Sequence, residues 1–270
     1  MSKLSIITIN YNNASGLQRT IESVAAQQYS DMEYIVVDGG STDESLEIIK
    51  QHEKFINKWV SEKDNGIYNA LNKGIKMATG DYLLFLNSGD HFYDSAVLNK
   101  YHHHIEKEDL IAFDIHFFGP GYNKIGKHID NLNFTFLFED TFAHQSIFIR
   151  RNLFDKVGLY DETLKIVADW KFFIHAIVFH RSTYKAVHEV LSTYYLDGIS
   201  GSPEGVILRN KERKTILKND FSLFYDDYIN AKKNRKLLAM NRFVMLQQLE
   251  KSYLGRKCSS LVLKFMTQFS

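Results

Sequence analysis

The chain has 270 residues and 44% hydrophobic content, enough for one large globular domain and an appendage. A single cysteine excludes an internal disulfide and fits a reducing compartment, and no apolar run approaches the length of a membrane span. The chain starts directly with strand-like sequence, so we expect no signal peptide and a cytoplasmic location. The formal net charge is only +1, and we expect no nucleic-acid partner.

Strand and helix patterns alternate through residues 4–86. Short apolar runs rich in β-branched residues predict strands at 4–9, 34–37 and 82–86, and a weak strand ends at Trp59 and Val60. Apolar residues at helical spacing predict helices over 17–26, 43–51 and 67–77, with Thr42 as the N-terminal cap of the second helix. This alternation predicts an α/β fold of the Rossmann type, with a mostly parallel sheet flanked by helices.

Polar loops follow three of these strands. They are the segments Asn10-Tyr11-Asn12-Asn13, Asp38-Gly39-Gly40-Ser41-Thr42-Asp43 and Asn87-Ser88-Gly89-Asp90. Ligands of open α/β sheets bind at the carboxyl ends of the strands, and a carboxylate and an amide placed there suit a metal–phosphate site. The chain has neither the G-x-G-x-x-G motif of dinucleotide-binding proteins nor a Walker loop, so a different mode of binding a phosphorylated ligand is indicated.

The pattern becomes less regular after Asp90. A turn at 119–121 predicts a hairpin, and the Gly/Ser-rich loop 197–202 is typical of a lid that orders over a bound ligand. The other predicted elements are helices at 94–104, 153–157 and 166–179, strands at 110–118, 146–149 and 184–195, and helices from residue 204 onward.

The charge is distributed unevenly between body and tail. Residues 205–270 carry 14 Lys/Arg and 5 Asp/Glu, a net charge of +9, whereas the rest of the chain carries 19 and 27, a net charge of −8. We therefore expect a domain over 1–203 and a basic helical extension over 204–270. Such an extension suits peripheral contact with anionic lipid at the inner face of the cell membrane, and a solvated helical face is the alternative.

Several of these segments together resemble the family 2 glycosyltransferases of bacterial surface-polysaccharide synthesis, which have the GT-A fold and use nucleotide sugars. The resemblance is carried by residues 4–13 (LSIITINYNN), 36–43 (VVDGGSTD), 61–90 and 144–169, in that order along the chain. It covers roughly residues 3–202, as several ordered motifs, and leaves the basic extension outside. It implies a GT-A-like domain that transfers a hexosyl or N-acetylhexosaminyl group.

The resemblance also implies a donor site for a nucleotide-diphosphate sugar, with a UDP-sugar favoured. In that family the loop after the first strand and the aspartate after the second hold the nucleoside, so Tyr11 is expected to stack on the base and Asp38 to bind base or ribose. The full set of expected donor-binding residues is Thr8, Asn10, Tyr11, Asp38, Asp64, Gly66, Asn72, Asn87 and Asp90.

The expected chemistry is metal-assisted transfer with inversion at the anomeric carbon. The family's metal motif usually reads Asp-x-Asp-Asp, and here it reads Asn87-Ser88-Gly89-Asp90, so Asp90 is the expected ligand of Mg²⁺ or Mn²⁺. The resemblance makes Asp169 the base that takes the proton of the acceptor hydroxyl, where the helix dipole would keep it ionised. It places His144 and Gln145 in the cleft between donor and acceptor, where the acceptor would be a glycan or a lipid-linked molecule. For Trp170 beside Asp169, stacking on a sugar ring in that cleft and packing in the core are the two expectations.

Two other functions remain open at the level of sequence. A sugar nucleotidyltransferase is also α/β and metal-dependent, but it usually has a Gly-rich, basic loop where this chain has Asn10-Tyr11-Asn12-Asn13. A non-catalytic nucleotide- or glycan-binding module would fit the loss of two carboxylates from the metal motif.

Overall fold

The structure is a computed structural model of the chain, and it describes residues 2–105, 107–195 and 202–267. Within these ranges the strands are β1 Leu4–Asn10, β2 Met32–Asp38, β3 Lys58–Ser61, β4 Tyr82–Phe85, β5 His91–Phe92, β6 Leu110–Gly119, β7 Tyr122–Gly126, β8 Ile147–Arg150 and β9 Tyr184–Tyr195. The α-helices are α1 Ala14–Ala25, α2 Ser45–Gln51, α3 Ile67–Met77, α4 Val97–Tyr101, α5 Phe134–Glu139, α6 Leu153–Val157, α7 Ala168–Val178, α8 Pro203–Asp220, α9 Ser222–Leu238, α10 Asn241–Glu250 and α11 Tyr253–Thr267.

The strands of the described chain form one sheet in the order β3-β2-β1-β4-β8-β6-β9-β5, with β7 paired to β6. Strands β3, β2, β1 and β4 are parallel, and β8 then runs antiparallel to both β4 and β6. The first half of the sheet is therefore Rossmann-like, as the alternation of strands and helices predicts. The second half is mixed, because β6 and β7 form the predicted hairpin and β8 reverses direction.

The register of the parallel strands sets the position of the polar loops. Asn10 pairs with Asp38 at the last position of β1 and β2, and Asp38 pairs with Ser61 at the end of β3. Every residue of β4 is buried, and so are all but one residue of β1, since these central strands are covered on both faces. The loops after β1, β2 and β4 consequently meet at one edge of a rigid core.

Most predicted elements are present, and a few boundaries differ. Helix α3 and strand β9 begin and end at the predicted residues. The predicted helix over 94–104 is shorter, because α4 ends at Tyr101 and a 3-10 turn follows over 102–104. The prediction of Thr42 as a helix cap is wrong: Glu44 precedes α2 without a side-chain cap, and the Thr42 amide donates to Asn12 Oδ1 at 2.8 Å instead.

A buried carboxylate stabilises the edge of the sheet opposite these loops. Glu33 of β2 is 3% exposed and lies 2.9 Å from Lys58 Nζ, and it accepts hydrogen bonds from Ser5 and from the backbone and side chain of Thr79. Burial acts to raise the pKa of Glu33, but the hydrogen bonds from Lys58, Thr79 and Ser5 outweigh it and lower the pKa to about 2. This charge is structural, since it ties β2 to β1, β3 and the end of α3.

The chain divides into two compact units within α8, the first ending at Thr215 and the second beginning at Ile216. The boundary expected from sequence, 203/204, lies in the first turn of the same helix. In the second unit, Ser259 of α11 donates to Glu250 of α10 at 2.7 Å. Across the described ranges, no helix is both long and apolar enough to cross a membrane. The predicted lid, residues 197–202, falls outside the described residues except for Ser202.

Candidate active site

Asp38 is the centre of a hydrogen-bond network at the carboxyl ends of β1, β2 and β3. Its carboxylate accepts from Asn10 Nδ2 at 2.9 Å, from the Ser41 amide at 2.9 Å and hydroxyl at 2.5 Å, and from the Ser61 hydroxyl at 2.7 Å. Asp38 is fully buried. Burial acts to raise its pKa, but the hydrogen bonds from Ser41, Ser61 and Asn10 outweigh this and hold the pKa below its ordinary value.

These contacts use the accepting capacity of the Asp38 carboxylate within the protein. A carboxylate offers about four acceptor positions, and four donors of this chain already occupy them. Asn10 likewise donates to Ser45 Oγ at 2.9 Å, while its own Oδ1 is buried and has no hydrogen-bond partner among the described residues. Asp38 therefore shapes the loops in this structure, and Asn10 keeps a free acceptor beside it.

Tyr11, Gly39 and Asp64 form the outer part of the same region. The Tyr11 ring is 65% exposed, as a side chain that stacks on a ligand must be. A Cβ atom at Gly39 would lie 2.3 Å from Asp64 Oδ2 and 3.3 Å from Tyr11 Cδ2, so the glycine lets both side chains approach the backbone. Asp64 Oδ1 accepts from the Gly66 amide at 3.0 Å, and Gly66, at φ +118°, precedes α3.

Two residues expected to bind the donor are instead buried parts of the scaffold. Thr8 is 0% exposed, donates to the Leu86 carbonyl at 2.7 Å and lies 3.0 Å from the Tyr34 hydroxyl. Asn72 is 2% exposed and bonds both the carbonyl and the amide of Tyr160, at 2.9 and 3.0 Å. The expected roles of Thr8 and Asn72 are corrected here, because neither side chain reaches the surface of the site.

The loop at 87–90 turns sharply after β4. Gly89 has φ +108°, and Thr20 of α1 holds the turn by accepting from the Gly89 amide at 3.0 Å and donating to the Asp90 carbonyl at 2.7 Å. Asp90 is 6% exposed, and Asn87 Oδ1 is buried without a hydrogen-bond partner in the described part of the chain. No cluster of three or more His, Cys, Asp or Glu side chains among the described residues could hold a metal alone.

A chain of polar contacts connects this loop to the expected base. Asn87 Nδ2 lies 3.0 Å from His144 Nε2, and His144 Nδ1 lies 3.3 Å from Asp169 Oδ2. Asp169 Oδ1 accepts from the Tyr68 hydroxyl at 3.2 Å and from the Trp170 amide at 2.9 Å. Four residues that are far apart in the sequence thus meet between the first turn of α3, the start of α7 and the loop after β4.

The surroundings of Tyr68 make it a hydrogen-bond donor in this series of contacts. Tyr68 is 6% exposed, and burial together with the negative charge of Asp169 raises its pKa well above the ordinary value. The phenol is therefore neutral and can donate to the carboxylate. Sequence reasoning missed Tyr68, since nothing in its local pattern distinguishes it from other residues of an amphipathic helix.

The other two residues expected in the cleft are buried. Trp170 is 2% exposed, its indole N–H donates to the Leu137 carbonyl at 2.7 Å, and Arg213 lies over its ring at 5.0 Å. Of the two expectations for Trp170, the structure therefore shows core packing and not a position in the cleft. Gln145 is 6% exposed, next to the fully buried Ser146, whereas the His144 side chain is 22% exposed.

The comparison with known sequences identifies the class. The model of the family described as "Glycosyl transferase family 2" matches residues 5–182. The PGL/p-HBAD biosynthesis glycosyltransferase of Mycobacterium bovis (strain BCG / Pasteur 1173P2) is 33% identical over 197 residues, which are 70% of this chain and 75% of that protein. This chain belongs to the family 2 glycosyltransferases, and it is a glycosyltransferase enzyme.

Solved structures confirm the expected GT-A-like fold. Staphylococcus aureus TarS has a TM-score of 0.62 at 21% identity over 80% of this chain, which spans 40% of the TarS chain. TarS 1–349 in complex with UDP-GlcNAc has a TM-score of 0.59 at 18% identity over 80% of this chain and 67% of the fragment. The mannosyltransferase PcManGT of Pyrobaculum calidifontis, in complex with GDP-Man and Mn²⁺, has a TM-score of 0.57 at 15% identity, covering 77% and 61%.

Proposed function

We propose that this enzyme is an inverting, metal-assisted glycosyltransferase that moves a sugar from a UDP-sugar to a hydroxyl of a glycan or lipid-linked acceptor. The observation that carries the proposal is the polar chain from Asn87 through His144 to Asp169. These contacts join the Asp169 carboxylate, at the start of α7, to the 87–90 loop, which suits a diphosphate. A base for the acceptor hydroxyl and a site for the departing diphosphate are what displacement at an anomeric carbon requires.

Asp169 is the proposed catalytic base. A carboxylate has about four acceptor positions, and Tyr68, Trp170 and His144 occupy three of them. The remaining position can accept the proton of the acceptor hydroxyl while the oxygen of that hydroxyl forms a bond to the anomeric carbon. The bond from that carbon to the diphosphate breaks in the same step, so the configuration inverts.

The side chains of the 87–90 loop fit a divalent cation that arrives with the nucleotide. Mg²⁺ and Mn²⁺ prefer oxygen ligands, and Mg²⁺ commonly uses one or two carboxylates together with substrate phosphates and water. Asp90 would supply the carboxylate and Asn87 Oδ1, buried and without a partner in the described chain, a second oxygen. When bound, such a cation stabilises the negative charge that develops on the departing diphosphate. The Mn²⁺ in the mannosyltransferase structure supports this part of the proposal.

The nucleoside is proposed to bind at the ends of β1, β2 and β3. Tyr11 supplies an exposed ring for stacking, Asn10 and Asp64 supply acceptors, and Asp38 holds the loops in place. The presence of UDP-GlcNAc and GDP-Man in the two structural neighbours supports a nucleotide sugar as donor.

Helix α11 supports peripheral contact with a membrane. With 3.6 residues per turn, Leu254, Leu261 and Phe265 fall on one side of α11, where they are 74%, 75% and 64% exposed. At about 100° per residue, Lys257 and Lys264 fall about 60–80° from Leu254 around the helix axis, beside the apolar residues, and Arg256 falls about 160° from it. Exposed apolar residues flanked by basic ones are typical of a helix that lies in the interface of an anionic bilayer. We propose anionic lipid as the partner of this face.

A thermal-shift screen tests the donor proposal directly. The chain is heated with UDP, GDP and their sugars, each with and without Mn²⁺, and transfer is then assayed with the stabilising sugar. We expect stabilisation by one nucleoside diphosphate that depends on Mn²⁺. Stabilisation by none of these ligands would contradict the proposal.

A further inference from the structure

His144 lies between Asn87, in the loop after β4, and Asp169, at the start of α7. Its ring nitrogens lie 3.0 Å from Asn87 Nδ2 and 3.3 Å from Asp169 Oδ2, and its side chain is 22% exposed. The residue lies in a 3-10 turn, His144–Ser146, that leads into β8. Ser146 is fully buried and lies 2.6 Å from the Ser192 hydroxyl, so the backbone that carries His144 is anchored in the core.

The neighbours of His144 determine which nitrogen carries the proton. As the proposed base, the Asp169 carboxylate can only accept, so Nδ1 must donate to it. In a neutral imidazole Nε2 is then an acceptor, and the partner that suits it is the NH₂ group of Asn87, which is the group that faces it. The Asn87 amide is thereby turned so that Oδ1 is left without a protein partner in the described chain.

We propose that His144 is a positioning residue with two separable tasks: Nδ1 orients the Asp169 base, and Nε2 orients Asn87 so that its Oδ1 faces the diphosphate and its cation. This inference rests on the proposed function and names a residue through which the donor and acceptor halves of the site are held in one geometry. A histidine suits the role because its two nitrogens serve two partners on a rigid ring. The second task resembles the outer-shell contacts that orient metal ligands in other proteins.

Two substitutions separate these tasks, because each keeps a polar group at the position of only one ring nitrogen. In His144→Asn the side-chain NH₂ replaces Nδ1 and can still donate to Asp169, but the contact with Asn87 is lost. In His144→Gln the amide reaches the position of Nε2 and can still accept from Asn87, but the contact with Asp169 is lost. A residue that merely fills space would respond similarly to both changes.

For His144→Gln we expect kcat to fall by up to about 100-fold, because a misplaced catalytic group loses about that much. The Mn²⁺ concentration for half-maximal stabilisation by UDP should change by less than about threefold, since the Asn87 contact is kept. For His144→Asn we expect that Mn²⁺ concentration to rise by about 10-fold, with a smaller loss of kcat than in His144→Gln. Thermal-shift titration of UDP against Mn²⁺ gives the first quantity without turnover, and initial rates give kcat.

The matched control is His103→Gln, which makes the same change at an exposed histidine of the turn after α4 and should alter neither quantity. Equal effects of the two His144 variants on both readouts, or a wild-type kcat in His144→Gln, would overturn the inference. Failure of the proposed function looks different: the wild type then transfers no sugar or shows no Mn²⁺-dependent stabilisation by UDP, whereas failure of this inference leaves both intact and removes only the difference between the two variants.

Discussion

The Tyr68 hydroxyl donates to Asp169 Oδ1 at 3.2 Å and so connects the first turn of α3 to the first turn of α7. Helix α3 begins directly after the loop that contains Asp64 and Gly66. The loop proposed to bind the donor and the proposed base are therefore joined at the starts of two helices. If both proposals hold, motion of either helix would disturb both donor binding and proton transfer.

Asp169→Asn should abolish transfer and leave nucleotide binding intact. The amide keeps the shape of the carboxylate but cannot take a proton, and loss of a general base costs at least about 100-fold in kcat. Initial rates measure the loss, and UDP-dependent thermal shifts check that the donor still binds. Retained turnover would show that another group is the base.

Asp90→Asn should weaken metal-dependent binding of the nucleotide. The change removes the one carboxylate of the 87–90 loop, so the Mn²⁺ concentration required for stabilisation by UDP should rise by at least about 10-fold. Treatment of the wild type with EDTA should lower its activity, and added Mn²⁺ should restore that activity. If EDTA has no effect on either activity or UDP stabilisation, the metal-assisted mechanism is excluded.

Asn72→Ala should reduce stability more than nucleotide affinity. The Asn72 side chain satisfies the buried amide and carbonyl of Tyr160, and its loss leaves both groups unpaired at a cost of about 3 kcal/mol in the free energy of unfolding. Urea denaturation measures this cost. Asn69→Ala is the matched control, because Asn69 donates to Glu162 from a more exposed position and its removal should cost well under half as much.

Glu33→Gln should destabilise the protein in a pH-dependent way. The pKa of Glu33 is lowered to about 2 in the folded state, from an unfolded value of about 4.3. The stabilisation that this charge provides is therefore fully present above the unfolded pKa and is lost as the pH falls toward 2. We expect the variant to be less stable than the wild type by about 2 kcal/mol at pH 7, and the difference to shrink between pH 4 and pH 2. Denaturation curves over this range would contradict the prediction if the difference were constant.

Binding of the full chain to anionic vesicles should depend on both the basic and the exposed apolar residues of α11. Replacement of Arg256, Lys257 and Lys264 by Gln removes about 1 kcal/mol of attraction per residue, so partitioning onto phosphatidylglycerol vesicles should fall by about 100-fold. Leu261→Ser with Phe265→Ser should also release the protein. The control replaces Lys50, Lys54 and Lys156, exposed residues of the first unit, by Gln. Equal cosedimentation of all four proteins would exclude membrane contact through α11, and self-association without vesicles would identify a second copy as the partner of the apolar face.

Local patterns in the sequence predict the elements and the loops of the site, but not the partners of individual side chains. The ends of β1, β2 and β4 meet because parallel strands carry their loops to one edge, and this follows from the alternation of strands and helices alone. The sequence cannot show that Thr8 is buried, because all but one residue of β1 are buried and no alternation marks an exposed side. Asn72 and Tyr68 find their partners, Tyr160 and Asp169, only through the fold, since these lie 88 and 101 residues further along the chain.

Gly39 and Asp64 compete for the same volume, since a Cβ at position 39 would lie 2.3 Å from Asp64 Oδ2. An acidic side chain introduced at Gly39 would have to displace the carboxylate of Asp64, which the Gly66 amide holds in place. The two positions therefore behave as one exchangeable unit: this volume has room for a carboxylate from the loop after β2 or from the loop before α3. Relatives that carry an acid at the first position are expected to have changed the second as well, so that a carboxylate reaches the same place from a different loop.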